Sequence, residues 1–396
     1  MTAAIAAARH GANVTLIEKM DDVGKKILAT GNGRCNMSNI NAQEYGYNKN
    51  KSFVSSALSQ FNVEDTLTFF EALGLMHKVE AEGRVYPYSN QAAAVLDVLK
   101  MEIERLYIHV LPGSTVKTIK NRADTFFTYL KDGSILESEK VILACGGMAG
   151  PQYGCNGDGY PIAESIGHNI KTPKPALVQV VHNEWYVKKL KGVRVKGSVS
   201  LECNEKVIKI QSGEIQFTED GLSGICIFDI SGEVNNSLDL GKSCSIIIDI
   251  FSDITDENLI EILKKRREFC YSKPVEDFLI GMVNNRLAPV LLKLSDVDHH
   301  KNCSELTNKE LYRLKNVLKK WKVPVVATRS WKHAQVTSGG VDIREINPNT
   351  LESKLTEGLY FAGELIDVDG LCGGYNLQWA WSSGYLAGKS AAEACF

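Results

Sequence analysis

Three apolar runs in this chain of 396 residues end in glycine or an acid, a combination that can hold a flat, phosphorylated ligand. Val141-Ile142-Leu143-Ala144-Cys145-Gly146-Gly147 reads as a buried strand opening into small residues. Gly358-Leu359-Tyr360-Phe361-Ala362-Gly363-Glu364 repeats the design, then passes Gly370, Gly373 and Gly374 into Tyr375-Asn376-Leu377-Gln378-Trp379-Ala380-Trp381, which reads as a helix start. Asn13-Val14-Thr15-Leu16-Ile17-Glu18 is a shorter run closed by a carboxylate. A glycine admits close approach of backbone to a ligand. A helix N-terminus offers free N–H groups and the positive end of a dipole. Each glycine also fits plain helix–strand packing. Three such strand ends, spread over both ends of the chain, favour a ligand.

The elements that must position these groups are legible around them. Ala3–His10 is an Ala-rich helical stretch stopped by Gly11. Helix, glycine, strand and terminal Glu18 form the second half of a dinucleotide-binding βαβ unit, in which the acid accepts hydrogen bonds from ribose hydroxyls. The glycine fingerprint of such a unit sits about 20 residues before the acid. Counting back from Glu18 runs past Met1, so the first strand and phosphate loop are expected to fall outside this sequence. A start codon assigned too late explains that better than a protein lacking the loop, because an empty sheet position strips apolar neighbours of one face. From about residue 176 to 250 the period is two, in Leu177–Val181, Gly197–Leu201, Lys206–Ile210 and Ser245–Ile250. Asp256–Arg267 and Asn308–Trp321 read as amphipathic helices with acids in the first turn and bases in the last.

Composition narrows the class. Hydrophobic residues make up 44% and charged residues 23%, ordinary for a globular chain. A formal net charge of −2 argues against a dedicated nucleic-acid binder. The basic runs Lys264–Arg267 and Lys319-Lys320 carry no interleaved aromatics and read as solvated helix ends. No apolar run reaches the roughly 18–20 residues of a membrane span. Ten cysteines lie scattered without a Cys-x-x-Cys pair, as expected of a cytoplasmic protein. His299-His300 beside Asp296 and Asp298 lacks the spacing of a metal site and reads as a surface loop. Hydrolase and zinc-protease motifs are absent.

The loop Gly24-Lys25-Lys26-Ile27-Leu28-Ala29-Thr30-Gly31-Asn32-Gly33-Arg34-Cys35-Asn36-Met37-Ser38-Asn39 resembles the signature loop of the BaiN-like (YhiN-type) FAD-dependent oxidoreductases. Gly83–Ser89, Gly221-Leu222-Ser223-Gly224, Ser338–Val341 and Gly358–Gln378 extend the resemblance over essentially the whole chain. It implies an α/β fold of the two-dinucleotide-binding, Rossmann-like type. Residues 1–175 and 341–396 would form a discontinuous FAD domain. Residues 176–255 and 322–340 would form an inserted β-barrel-like domain, and 256–321 a small helical one. FAD would be held by Glu18, Lys19, Lys25, Gly31, Gly33, Arg34, Cys35, Val116, Gly146, Gly147, Gly363, Glu364, Gly374, Asn376, Leu377 and Gln378. Asp220 departs from the His expected before Gly-Leu-Ser-Gly, which leaves the role of that position open.

The resemblance further implies reduction of the conjugated 3-oxo-Δ4 and Δ6 double bonds of bile-acid intermediates, with NAD(P)H as reductant and an apolar, sterol-like small-molecule substrate. Such a reaction needs donors that polarise the carbonyl and an acid for the α carbon. Arg34 and Asn36 are candidates for the first role, Tyr86 or Tyr375 for the second. Arg34 equally suits a phosphate clamp, and either tyrosine suits a core position. Cys35 and Cys145 read as small buried residues rather than redox groups. Nucleic-acid and membrane partners are not expected. The alternatives left open are a flavoprotein acting on another small molecule, one directed at RNA, and a non-catalytic remnant.

Overall fold

The first and last helices of the chain, Thr2–Arg9 and Tyr375–Glu393, cross at contact distance because small residues face each other. A Cβ on Gly388 would stand 2.2 Å from the Ala3 carbonyl oxygen, and one on Gly384 would meet Thr2 at 3.4 Å. The structure, a computed structural model, describes every residue except Lys49, Ala123 and Phe396. It divides into two units, Met1–Pro175 with Ala334–Phe396, and Ala176–His333.

In the first unit, Thr15–Ile17 pairs in parallel with His109–Leu111, and Val141–Leu143 pairs in parallel with Leu359–Phe361. Parallel pairing of strands this far apart in sequence is the mark of an α/β layer. A three-stranded antiparallel sheet is made by Val116–Arg122, Thr125–Leu130 and Ile135–Ser138. Another joins Ser38–Asn39, Arg84–Pro87 and His77–Val79. Val336–Val341 pairs with Ile170–Ala176. Residues 334–340 thus belong to this unit, whereas the family resemblance implies a return at 341. Its interior comprises one cluster around Phe361 and Trp379 and another around Phe70 and Trp381.

The second unit is built on an antiparallel sheet of Arg194–Cys203, Lys206–Phe217, Gly221–Ser223, Cys244–Asp249, Val180–Val181 and the segment Trp321–Thr328. The first half of that last segment pairs with Cys244–Asp249 and its end pairs with Val180–Val181. The ladder thus returns to the segment where it began, which gives the barrel-like closure. Three expectations change here. Ile225–Asp239 is a helix inside the stretch read as all strand, with Ile227, Ile230, Ser231 and Val234 on its buried face. Trp321 opens a strand rather than ending a helix. The helices Asp256–Phe269 and Asn308–Lys319 share one apolar core with the sheet, so residues 256–321 form no separate cluster.

The basic helix ends also differ from the solvated reading. Lys319 donates to the Phe251 and Ile254 carbonyls and pairs with Asp249, and Arg267 donates to the Leu306 carbonyl. Helix ends packed on loops spend their charge on unsatisfied carbonyls. His299 and His300 lie in an exposed turn. Among the described residues no helix is long and apolar enough to cross a membrane.

Gly221 lies so close to the neighbouring strand that a Cβ there would stand 1.8 Å from the Val180 oxygen. Gly221→Ala should destabilise the protein by about 3 kcal/mol, read as a lower urea midpoint. An unchanged midpoint would refute the close packing.

Burial holds two histidines neutral. His168 lies 2.8 Å from Ser353 Oγ and 3.3 Å from Glu345. Desolvation lowers its pKa, partly opposed by Glu345. Desolvation pulls His182 down to about 4, against the attraction of Asp220. The unfolded chain takes up these protons near pH 6.5 and the folded one only at lower pH, so stability falls as pH drops from about 6.5 toward 4. Urea midpoints measured across that window should decline with acid, and less steeply in His182→Gln. An identical slope in the variant would contradict the assignment.

Candidate functional site

The strand ends of the first unit present backbone that is only loosely covered. Ala144 and Cys145 follow Val141–Leu143 and are exposed. Gly146 takes a left-handed φ of 73°. Gly363, at φ 70°, has open space where a Cβ would be. Its N–H donates to Ser383 Oγ and its carbonyl accepts from the Trp379 indole at 3.0 Å, which holds the turn rigid. At the end of Thr15–Ile17, Glu18 turns one carboxylate oxygen onto its own turn N–H at Met20, 2.9 Å away.

Glu364 is the best-connected carboxylate of the site. It accepts from Lys26 Nζ at 2.6 Å and from the Thr337 backbone N–H. Burial alone would lower the Lys26 ammonium, but the facing Glu364 carboxylate more than offsets it and the pKa is raised. Thr337 Oγ1 in turn accepts from the N–H groups of Met148 and Ala149, at 2.8 and 3.1 Å. Lys26 on the glycine loop, the loop after Val141–Leu143, and Glu364 are thus tied into one network. Asp158, flanked by Gly157 and Gly159, comes against Lys19 beside Glu18. Sequence reasoning missed Lys26, Asp158 and Thr337. The two glycines around Asp158 are the signal that could have found it, since Gly157 has a φ of 76°.

The signature loop is wound through left-handed backbone at Gly31, Asn32, Gly33 and Cys35. A Cβ on Gly31 would stand 2.6 Å from the Asn36 nitrogen, while Gly33 faces open space. This winding buries Asn36 Oδ1 without any partner among the described residues. A buried acceptor left bare in this way is costly and calls for a donor, from a water or from a ligand N–H.

Other expected site residues are given to the protein itself. Arg34 donates to Glu80 Oε1 at 2.5 Å and to Asn90 Oδ1, and lies 4.0 Å over the Tyr86 ring. Paired in this way, it is neither a bare phosphate clamp nor a strong polariser of a carbonyl. Tyr86 is buried beneath it, and desolvation raises its hydroxyl. Tyr375 sits edge-on to Tyr47 and covers Gly46, where a Cβ would be 2.1 Å away. Gln378 is fully buried, with Ser38, Thr66, Ser382 and the Asn62 carbonyl as partners. Its amide is consumed and cannot also hold a cofactor. Asn376 clamps Gly370 and the Leu371 carbonyl.

Gly374 and Gly147 serve packing rather than ligand approach. Their Cβ atoms would meet the Ser38 oxygen at 2.2 Å and Thr337 Oγ1 at 2.3 Å. Lys25 pairs with Asp21 on the surface. Leu377 and Val116 lean on the apolar clusters. Cys35 is fully buried, which pushes its thiol up to about 11 and keeps it inert. Gly33, Gly146 and Gly363 present uncrowded backbone, and Glu18 and Asn36 present acceptor oxygens, groups of the kind that hold a dinucleotide cofactor.

Removing either member of the Lys26–Glu364 pair leaves a partly buried charge alone. Lys26→Met and Glu364→Gln should each destabilise the protein by about 2 kcal/mol, and the double variant by much less than the sum. Strictly additive losses in urea unfolding would show that the two charges are not coupled.

The HI0933-like protein Rossmann domain model matches residues 1–390. The chain is 39% identical to the 3-dehydro-bile acid delta(4,6)-reductase of Clostridium scindens over 397 residues, covering 99% of this chain and 96% of that protein. It is 30% identical to the ribosomal RNA dihydrouridine synthase of Escherichia coli, covering 97% of this chain and 93% of the relative. Among solved structures, the 3-ketosteroid delta1-dehydrogenase of Sterolibacterium denitrificans aligns with a TM-score of 0.53 at 11% identity, over 99% of this chain and 97% of the other. A quinol fumarate reductase chain of E. coli aligns at 0.51 and 16% identity, over 99% and 68%. At such identities the structural likeness speaks for the fold alone. The resemblance read from the signature loop extends through both units, and the chain belongs to the family of HI0933-like proteins with a Rossmann domain.

Proposed function

We propose that this chain is an FAD-dependent oxidoreductase that reduces conjugated carbon–carbon double bonds of 3-oxo steroid acids, with NAD(P)H as the reductant. The observation that carries the reading is identity of 39%, over nearly the full length of both chains, to a protein described as a 3-dehydro-bile acid delta(4,6)-reductase. Open backbone at Gly146 and Gly363, with the bare Asn36 acceptor, supports the cofactor. Bound FAD supplies the hydride chemistry that protein side chains lack. The chain's own part is to hold, orient and shield it. Glu18 offers a carboxylate oxygen to ribose hydroxyls, Asn36 Oδ1 accepts an N–H, and the first turn of Tyr375–Glu393 offers N–H groups to negative charge. The Lys26–Glu364 pair keeps the loop and the strand end in register around it.

RNA is the second reading, because relatives described as ribosomal RNA dihydrouridine synthases match at 30% and 27% identity. One surface feature favours it: Trp185 is 43% exposed, with Lys293 Nζ at 4.4 Å and Lys189 Nζ at 5.2 Å from its ring. A cation-flanked aromatic of this kind stacks on bases. The net charge of −2 weighs against it.

The purified protein should be yellow, and anaerobic NADH or NADPH should bleach it. A 3-oxo-4,6-diene bile acid should then restore the colour and leave a product two or four hydrogens heavier. Reoxidation by undermodified ribosomal RNA but not by the steroid would transfer the assignment to RNA. A protein that never takes up FAD would end both readings.

A further inference from the structure

Two thiols of the second unit lie side by side on neighbouring strands. Arg194–Cys203 and Cys244–Asp249 run antiparallel, and their register sets Cys203 directly opposite Cys244. The two Sγ atoms stand 2.8 Å apart, although the residues are 41 positions apart in the chain. Val199 and Leu201 on one strand, and Ile246 and Ile248 on the other, share the same face by period two. All six side chains belong to one apolar core.

The hydrogen bonds beside the pair decide its geometry. Hydrogen-bonded and non-hydrogen-bonded pairs alternate along an antiparallel ladder. At the next position the Asn204 N–H donates to the Ser243 carbonyl at 2.9 Å, and Asn204 Oδ1 accepts from the Ser243 N–H at 3.1 Å. Cys203 and Cys244 are therefore a non-hydrogen-bonded pair, the kind whose Cα atoms lie about 4.5 Å apart with side chains at their closest. A disulfide spans Cα separations of roughly 4.4–6.8 Å, so a bond between these sulfurs fits the backbone as it stands.

Other uses of the pair find no support. A metal needs further ligands, and the described residues hold no group of three metal-ligating side chains. Burial, reinforced by the adjoining Cys203 sulfur, pushes the Cys244 thiol up to about 12, the opposite of what a catalytic nucleophile needs. Access comes from the ends of the strands. Residues 204–208 are exposed, as are Gly241 and Ser243, so each cysteine is one residue from solvent.

We infer that Cys203 and Cys244 are a modification site, a disulfide pair closed by a peroxide and reopened by a small thiol, which staples the two strands where the hairpin turn leaves the sheet. One sulfur, as thiolate, takes an oxygen from hydrogen peroxide, leaving a sulfenic acid and releasing hydroxide. The other sulfur displaces that oxygen as water. Together two thiols and one peroxide give one disulfide and two waters. The inference is independent of the cofactor and substrate readings.

The test treats the reduced, purified protein with hydrogen peroxide, removes the excess with catalase, and unfolds it in urea with N-ethylmaleimide. Trypsin without reductant should release peptide 197–206 joined to peptide 243–264, each of which contains a single cysteine. The joined species should be two hydrogens lighter than the two reduced peptides together and should vanish on adding dithiothreitol. The urea midpoint of the oxidised protein should rise, because closing a loop of this length removes freedom from the unfolded chain. Cys203→Ala and Cys244→Ala should each abolish both the joined peptide and the rise. Should either variant fail to fold, the peptide map of the unaltered protein still decides. Maleimide on both cysteines after peroxide has oxidised the exposed Cys395 would overturn the inference, as would a sulfinic acid at either position without the joined peptide.

Discussion

Glu364 and Lys26 are separated by 338 positions, yet their side chains meet at 2.6 Å in a partly buried pair. A charged pair in such a place is stable only when both partners are delivered together, since one charge left alone loses its solvation without compensation. Much of the first unit serves that delivery. The tight crossing of Thr2–Arg9 with Tyr375–Glu393, possible because Gly384 and Gly388 carry no side chain, brings the two chain ends together. Glu364 then reaches Thr337, Thr337 reaches the N–H groups of Met148 and Ala149, and the loop after Val141–Leu143 is fixed to the same centre.

Glycine does two different jobs in this protein. At Gly146, Gly363 and Gly33 the backbone is left-handed with nothing crowding a side chain, so the bare surface faces outward. At Gly147, Gly221, Gly374 and Gly388 the missing side chain is filled by another part of the same chain. Both kinds look alike in sequence, because the Gly-Gly of 146–147 divides between them. The difference is made by what packs opposite, which no local pattern encodes.

Polar residues divide in a similar way. Gln378, Asn376 and Arg34 stand in the motifs that suggest a ligand, but their hydrogen-bonding capacity is spent on the interior. Asn36, His182 and Arg329 each retain a buried atom with no partner among the described residues. A buried polar group is costly when unpaired, so each such atom calls for a partner, whether a water or a ligand.

The sequence by itself determined the first and last helices, the strands Thr15–Ile17, Val141–Leu143 and Leu359–Phe361, several strands of the second sheet and the helices Asp256–Phe269 and Asn308–Lys319, while the signature loop carried the family. These rest on local periodicity, glycine punctuation and terminal acids, all expressed within a few residues. The helix Ile225–Asp239 was overlooked although its buried face repeats at helical spacing, because strands on either side imposed their period on the reading. Tertiary structure alone decided which candidates face outward and which are consumed. It placed Asp158 against Lys19, closed the barrel through Trp321–Thr328, merged the helical stretch into the sheet's core, and set His182 and Arg329 around Asp220. The physical reason is that hydrogen-bond satisfaction and close packing belong to pairs of distant segments, and neither member of a pair carries its partner's position in its own sequence.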